Sequence, residues 1–183
     1  MQVADTELSD VKLITPKRLA DDRGWFEERY RADLLHAAGI RTPFVQDNLS
    51  FSARAGTIRG LHFQSRPSAQ AKLVAVLTGS ILDVAVDLRR SSLTYGRHVC
   101  VLMSAARSQL LYVPVGFAHG FCTLEDSTLV TYKTTAYYDP AADRNLAWND
   151  PDLNIRWPVS VEGVTLSPKD RAAPPLAALG DVF

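Results

Sequence analysis

Lys72-Leu-Val-Ala-Val-Leu-Thr-Gly-Ser-Ile-Leu-Asp-Val-Ala-Val-Asp-Leu-Arg89 is the stretch on which the fold turns. Two apolar, strand-sized runs flank Thr78-Gly79, which reads as a strand, a tight turn and a second strand. Short β runs follow at His98–Met103, Gln109–Val113, His119–Leu124 and Thr128–Tyr138, and from Phe44 onward the signals are β. Strands at this spacing with turns between them predict a sandwich, barrel or jelly roll. A parallel α/β sheet would need crossover helices, which the sequence lacks.

Upstream, the first ten residues read as an arm, followed by a strand near Val11–Thr15. A loop through Asp21, Asp22, Arg23 and Gly24 then leads into a strand at Trp25–Tyr30. Residues 31–38 form the one convincing helix, with Leu34, Leu35 and Ala38 apolar and Gly39 where a helix end needs a left-handed residue. Downstream, Pro151 to Phe183 is rich in Pro and Ala and is expected to pack as loops and a short helix. The chain therefore reads as one domain over residues 1–183: an amino-terminal strand arm (1–30), a β core (44–138) and a carboxy-terminal segment (139–183).

At 183 residues the chain suits a single core. Lys and Arg number 20 and so do Asp and Glu, so the basic excess of a nucleic-acid binder is missing. Apolar stretches are strand-sized and broken by Asp, Arg or Gly, so no membrane span is expected. The amino terminus lacks the basic-then-apolar pattern of a signal peptide. Cys100 and Cys122, each in an apolar run, read as buried small hydrophobes in a reducing compartment. The cytoplasm is the expected location.

The four histidines are not equivalent. His36 lies on the helix and His98 opens a strand, where exposure is expected. His62, in Gly56-Thr-Ile-Arg-Gly-Leu-His-Phe-Gln64, and His119, in Pro114-Val-Gly-Phe-Ala-His-Gly-Phe121, stand among apolar residues. A lone histidine in such a place is ordinarily a satisfied core residue. Here Arg59, His62, Gln64 and Lys72 crowd one apolar strand region, and buried polar groups need partners. A barrel lumen supplies them. Strict alternation sets Arg59 and His62 on opposite faces, so both can line one cavity only if Gly60 introduces a bulge. Tyr132 and Lys133 alternate in facing; if Tyr132 looks into the cavity it becomes a candidate proton donor.

Other chemistries are poorly served. There is no His-x-His, His-x-x-x-His or Cys-x-x-Cys for a metal, no Gly-x-Ser-x-Gly elbow and no P-loop or Gly-x-Gly-x-x-Gly. The cysteines have no flanking cations to lower a thiol pKa. Acid–base chemistry is what remains.

At these residues the sequence resembles the dTDP-4-dehydrorhamnose 3,5-epimerase family, nearly end to end. The matching segments are Asp22-Arg-Gly with Trp25-Phe-Glu-Glu28, Gln46-Asp-Asn48 with Ser50, Arg59-Gly-Leu-His-Phe-Gln64 and Lys72-Leu-Val. They continue through Asp83-Val-Ala-Val-Asp-Leu-Arg89, Thr94-Tyr-Gly96, the His119 segment, Tyr132-Lys with Tyr137-Tyr138, Trp148-Asn-Asp-Pro151 and Ser167-Pro-Lys-Asp170. Any one is weak; ten in order are specific.

The resemblance implies an all-β, cupin-like jelly roll (a double-stranded β-helix barrel) and a cofactor-free isomerase. Its substrate would be a 4-keto-6-deoxy hexose on dTDP, inverted at C3 and C5 through an enolate. By similarity His62 is the base and Asp170 the carboxylate that orients it, with Asp83 another buried acid near the site. Lys72 would stabilise the charge developing on the C4 oxygen, and Tyr132 would return a proton from the opposite face. An imidazole, with an ordinary pKa of about 6.5, suits a base near neutral pH.

Arg23 and Arg59 resemble diphosphate contacts; Glu28, Gln46, Asp47, Asn48, His119 and Lys169 match nucleotide or sugar positions, and Tyr138 a ring stacked on thymine. Asp143 departs from the family's more usual Glu, and the shorter carboxylate is expected to make a looser contact. The resemblance also implies a homodimer formed by exchange of the amino-terminal strand, with Arg23 and Glu28 serving the partner's site. Competing readings are a C3- or C5-monoepimerase, a non-catalytic sugar-nucleotide-binding jelly roll, and a metal-dependent jelly-roll isomerase or dioxygenase.

Overall fold

The structure is a computed structural model describing residues 1–183. Thirteen strands, in chain order, are β1 (Gln2–Asp5), β2 (Lys12–Thr15), β3 (Arg18–Asp21), β4 (Gly24–Glu27), β5 (Gln46–Ser52), β6 (Ile58–Gln64), β7 (Lys72–Thr78), β8 (Ser80–Asp87), β9 (His98–Ser104), β10 (Leu110–Val113), β11 (Phe117–Thr123), β12 (Thr128–Thr134) and β13 (Asp143–Asn145). Two short helices, α1 (Ala32–Ala37) and α2 (Pro168–Arg171), and a 3₁₀ turn at Leu176–Ala178 complete it. A six-stranded sheet, ordered β1-β2-β10-β7-β12-β5, faces a five-stranded sheet, ordered β13-β6-β11-β8-β9; β3 and β4 form a separate hairpin. This is the jelly-roll architecture expected.

The two runs of the central stretch are strands, but not a hairpin. β7 lies in the six-stranded sheet and β8 in the other, so Thr78-Gly79 is a corner between layers. Gly79 turns it at φ +79°, where a Cβ would come within 2.4 Å of Thr128 Oγ1. Both runs read as continuously apolar because each is covered on both sides. Val74, Val76, Ile81 and Ala85 point between the sheets, with Leu111, Phe117, Phe121 and Val130. Leu73 and Ala75 turn outward onto Leu35 and Ile40 of the α1 region. Val84, Val86 and Leu88 turn outward under Leu146, Leu153 and Leu179 of the carboxy-terminal segment.

α1 is a brief helix held by tertiary packing: Leu35 is 2% exposed, and its burial contributes about 2 kcal/mol. It closes as its sequence suggests. Gly39 is left-handed at φ +89°, Gly39 N–H donates to His36 O and Ile40 N–H to Leu35 O at 2.9 Å, a paired C-terminal cap.

Several expectations need correction. Gln2–Asp5 is not a free arm, since β1 pairs antiparallel with β2 of its own sheet. The strand expected to reach Tyr30 stops at Glu27, and the one expected to reach Tyr138 stops at Thr134. Cys100 is exposed on the outer side of edge strand β9, while Cys122 is buried as expected. His98 is half-buried rather than exposed. No helix is long and apolar enough to cross a membrane.

Candidate active site

Alternation along two strands and a bulge in a third bring the chemistry inward. On β7, Leu73 and Ala75 face out, so Lys72 faces in with Val74 and Val76. On β12, Tyr132 shares the inward side with Val130, and Lys133 turns outward to Asp47. On β6 the alternation is broken. Arg59 pairs with Phe121 and His62 with His119, so Gly60 and Leu61 together oppose the single residue Gly120. This is a bulge, and glycine permits it: Gly60 has φ +135°, and a Cβ there would lie 2.5 Å from Gly120 Cα. Arg59 and His62 thereby reach one cavity.

That cavity, about 420 Å³, is lined by Arg59, His62, Lys72, His119, Tyr132, Lys169 and Asp170, among others. A neighbouring space of about 250 Å³ shares His62, Lys72, Tyr132 and Lys169 and extends to Tyr138 and Asp143. Together they form one cleft at the end of the sandwich.

Asp170 accepts a hydrogen bond from His62 Nε2 at 2.5 Å. That bond fixes the tautomer with the lone pair on Nδ1, the form a base needs. Burial works to raise the Asp170 carboxyl, but its hydrogen bond to His62, the charge of that ring and a side-chain hydrogen bond from Ser167 outweigh this and hold it below the usual range. Asp170 is placed by α2, which starts with Ser167 as N-cap and Pro168 in its first turn.

Lys72 is buried and its Nζ donates to His62 O at 3.2 Å. Burial brings its amino group down to about 8, against upward pulls from Asp83 and Asp143. The ammonium lies 6.0 Å from the centre of the Tyr132 ring. Burial raises the Tyr132 phenol, with Arg59 opposing, so the group remains a proton donor at neutral pH. His119 Nε2 donates to both oxygens of Asp83 (2.9 and 3.1 Å); both residues are buried, and burial pushes the His119 imidazole down despite Asp83.

Other predicted residues fall into two groups. Gln46 and Asn48 face inward on β5 and bond to each other at 2.9 Å, and Gln46 also accepts the Tyr138 N–H. Exposed Tyr138 donates to Asp143 at 3.1 Å, and Asp143 is ion-paired with Lys169. Asp47 is a correction: its neighbours Gln46 and Asn48 take the inner face of β5, so it lies on the outer one, 2.8 Å from Lys133 Nζ, away from the cleft. Arg23 and Glu28 also lie outside this chain's cavity, on the β3–β4 hairpin and just after it, paired with Asp21 and Arg31. Gln64 spends its amide on Ser68 O, Tyr137 O and the Asp139 N–H, clamping two loops.

Sequence reasoning missed Ser167, Leu49, Phe51 and Phe121 as cavity walls. Ser167 followed by Pro carries a helix-start signature that marks it; the apolar walls carry no signal apart from core. No group of three or more His, Cys, Asp or Glu side chains is arranged to hold a metal ion.

The sequence profile described as dTDP-4-dehydrorhamnose 3,5-epimerase matches residues 5–178. The chain belongs to the dTDP-4-dehydrorhamnose 3,5-epimerase family. Its Escherichia coli K12 relative of that name is 46% identical over 171 residues, 93% of this chain and 91% of that one. The Bacillus anthracis epimerase, solved with TDP and PPi bound, superposes with a TM-score of 0.92 at 48% identity, covering 95% of this chain and 98% of that one. The Legionella pneumophila enzyme, solved with dTDP-4-keto-L-rhamnose, gives 0.93 at 42% identity over 98% and 94%. The cupin-like jelly roll and the isomerase class of this epimerase chain stand on those matches.

Proposed function

We propose that this chain converts dTDP-4-dehydro-6-deoxy-D-glucose to dTDP-4-dehydro-L-rhamnose by inverting C3 and then C5, or the reverse, without a cofactor. The observation that carries the reading is the convergence of His62, Lys72 and Tyr132 on one cleft. His62, oriented by Asp170, removes the proton next to the C4 ketone, and the Lys72 ammonium takes the charge of the resulting enolate. Tyr132 delivers a proton to the other face of the same carbon, and exchange with water restores both groups. Each acid–base group contributes roughly 10²–10⁴ in rate, and the charge-stabilising donor roughly 10²–10³.

The nucleotide end of the cleft fits a dTDP group. Arg59, steadied by Ser52 Oγ at 3.0 Å and Phe51 O at 2.7 Å, and Lys169 supply cations for the diphosphate. Exposed Tyr138 is the stacking ring for the base. Two relatives were solved with TDP or a dTDP-sugar, which supports the assignment.

The chain acts as a cytoplasmic homodimer in this reading, with neither nucleic acid nor membrane as partner. The β3–β4 hairpin and the residue after it carry Arg23 and Glu28, which the chain's own cavity does not use, and Trp25 and Phe26 are 55% and 64% exposed. Such an apolar, cation-tipped hairpin suits delivery into a partner's cleft. The test is a coupled assay with the 4-keto-6-deoxyglucose nucleotide and a 4-ketoreductase. dTDP-rhamnose is the expected product; a product inverted at one carbon, or none, would overturn the reading.

A further inference from the structure

Asp83 has no part in the proton transfers, yet it is the most deeply buried acid near the cleft, with no exposed surface. Alternation on β8 points it inward with Ile81 and Ala85. Its only side-chain partner is the His119 ring, which donates one Nε2–H to both its oxygens. His119 stands directly across from His62 in the β11–β6 register and shares a cavity with Lys72.

A carboxylate sealed from water beside a neutral imidazole is a poor stabilising device, because desolvation of the charge goes largely uncompensated. The groups facing Lys72 make its use plain. From β6 come Arg59 and His62, from β11 His119, and from β12 Tyr132. From the rim come Asp143 and Tyr138, and from α2 Lys169 and Asp170. Asp143 is ion-paired with Lys169, and these two pull Lys72 in opposite directions. Asp170 is committed to His62. Asp83 is left as the acid in this set with no cation in contact, and of the charges that act on Lys72 it is the strongest in favour of the ammonium.

We propose that Asp83 is a positioning residue of the reaction: a buried carboxylate, hydrogen-bonded to the cavity residue His119, that keeps the Lys72 amino group charged beside the reacting ketone. The proposal rests on the reading of Lys72 as the enolate-stabilising group. His119 in turn fixes the carboxylate's place, so the pair acts through Lys72 without touching the carbons that invert. No bond forms or breaks at Asp83.

The test is Asp83→Asn, which keeps shape and removes the charge, with Asp83→Ser as a second neutral variant should the first fail to fold. Lys72 is titrated without substrate by NMR of the lysine Cε in labelled protein, its signal assigned by its loss in Lys72→Met. The titration midpoint is expected to fall by about one pH unit or more in the neutral variants. The alkaline limb of kcat/KM should move with it, so that the relative loss is about fivefold at pH 8 and small at pH 6. An unmoved Lys72 midpoint overturns the proposal whatever the activity. A midpoint that moves while the kcat/KM limb stays fixed overturns the catalytic role. A wild-type protein that turns over no substrate while its Lys72 midpoint still depends on Asp83 sinks the epimerase reading, and with it the role proposed for Asp83, but leaves the coupling intact.

Discussion

Replacing Lys72 by Met should make the protein more stable and nearly inactive. Burial takes the amino group from 10.5 to about 8, with the attraction of Asp83 and Asp143 already contained in that value. Such a displacement amounts to about 3 kcal/mol held against the folded state wherever both folded and unfolded lysines are protonated. The sign follows from proton counts. Between about pH 8 and 10.5 the unfolded chain binds the proton and the folded one does not, so wild-type stability rises with pH across that window. The handicap is therefore complete below pH 8. Methionine keeps the apolar stem and removes the charge, at the loss of one hydrogen bond to His62 O, about 1 kcal/mol. The net gain is about 2 kcal/mol at pH 7, or roughly 4–8 °C in Tm for a domain of this size. Turnover should fall roughly 10²–10³-fold. Thermal denaturation of wild type and variant at pH 7 and pH 10 reads both parts: the gap in Tm should be wide at pH 7 and narrow at pH 10. A variant no more stable than wild type at pH 7, or a gap that widens with pH, would refute the reasoning.

Three further outcomes are expected. kcat/KM should decline as pH rises through about 8, where Lys72 loses its proton, and a profile flat to pH 10 would exclude a charged Lys72 from the reaction. Gly60→Ala should destabilise by about 3 kcal/mol, because the left-handed backbone and the 2.5 Å approach to Gly120 both oppose a side chain; an unchanged Tm contradicts the bulge. Tyr132→Phe should leave dTDP affinity and Tm near wild type while turnover drops roughly 10²–10⁴-fold, a loss checked by the coupled assay at saturating substrate.

The fold was legible because strand length and turn chemistry are local. Gly39 announced the end of α1 and Gly60 the bulge of β6, each through a backbone conformation other residues avoid. The Thr78-Gly79 turn was legible as a turn but not as a corner, since a tight turn between apolar runs looks the same whether the strands pair or part. That distinction depends on what covers Leu73 and Val84 from outside, which lies far away in sequence. Alternation separated Tyr132 from Lys133, but which of them faces inward, and that Lys72 does so too, depends on what packs against each side of β12 and β7. Asp47 was misplaced because its flanking Gln46 and Asn48 are the inward pair of β5, and an edge strand with polar residues on both faces carries no marker of which is which. His119 could be seen as a buried polar residue; its partner Asp83 lies 36 positions away and reaches it only through the β8–β11 pairing.

The three-way grip on a ketone is tested most directly by where solvent hydrogen enters the product. Run in deuterated water, the wild-type reaction should place deuterium at both C3 and C5, and His62→Ala should place it at neither while still binding dTDP. Label at a single carbon, or exchange that persists without the imidazole, would contradict the account.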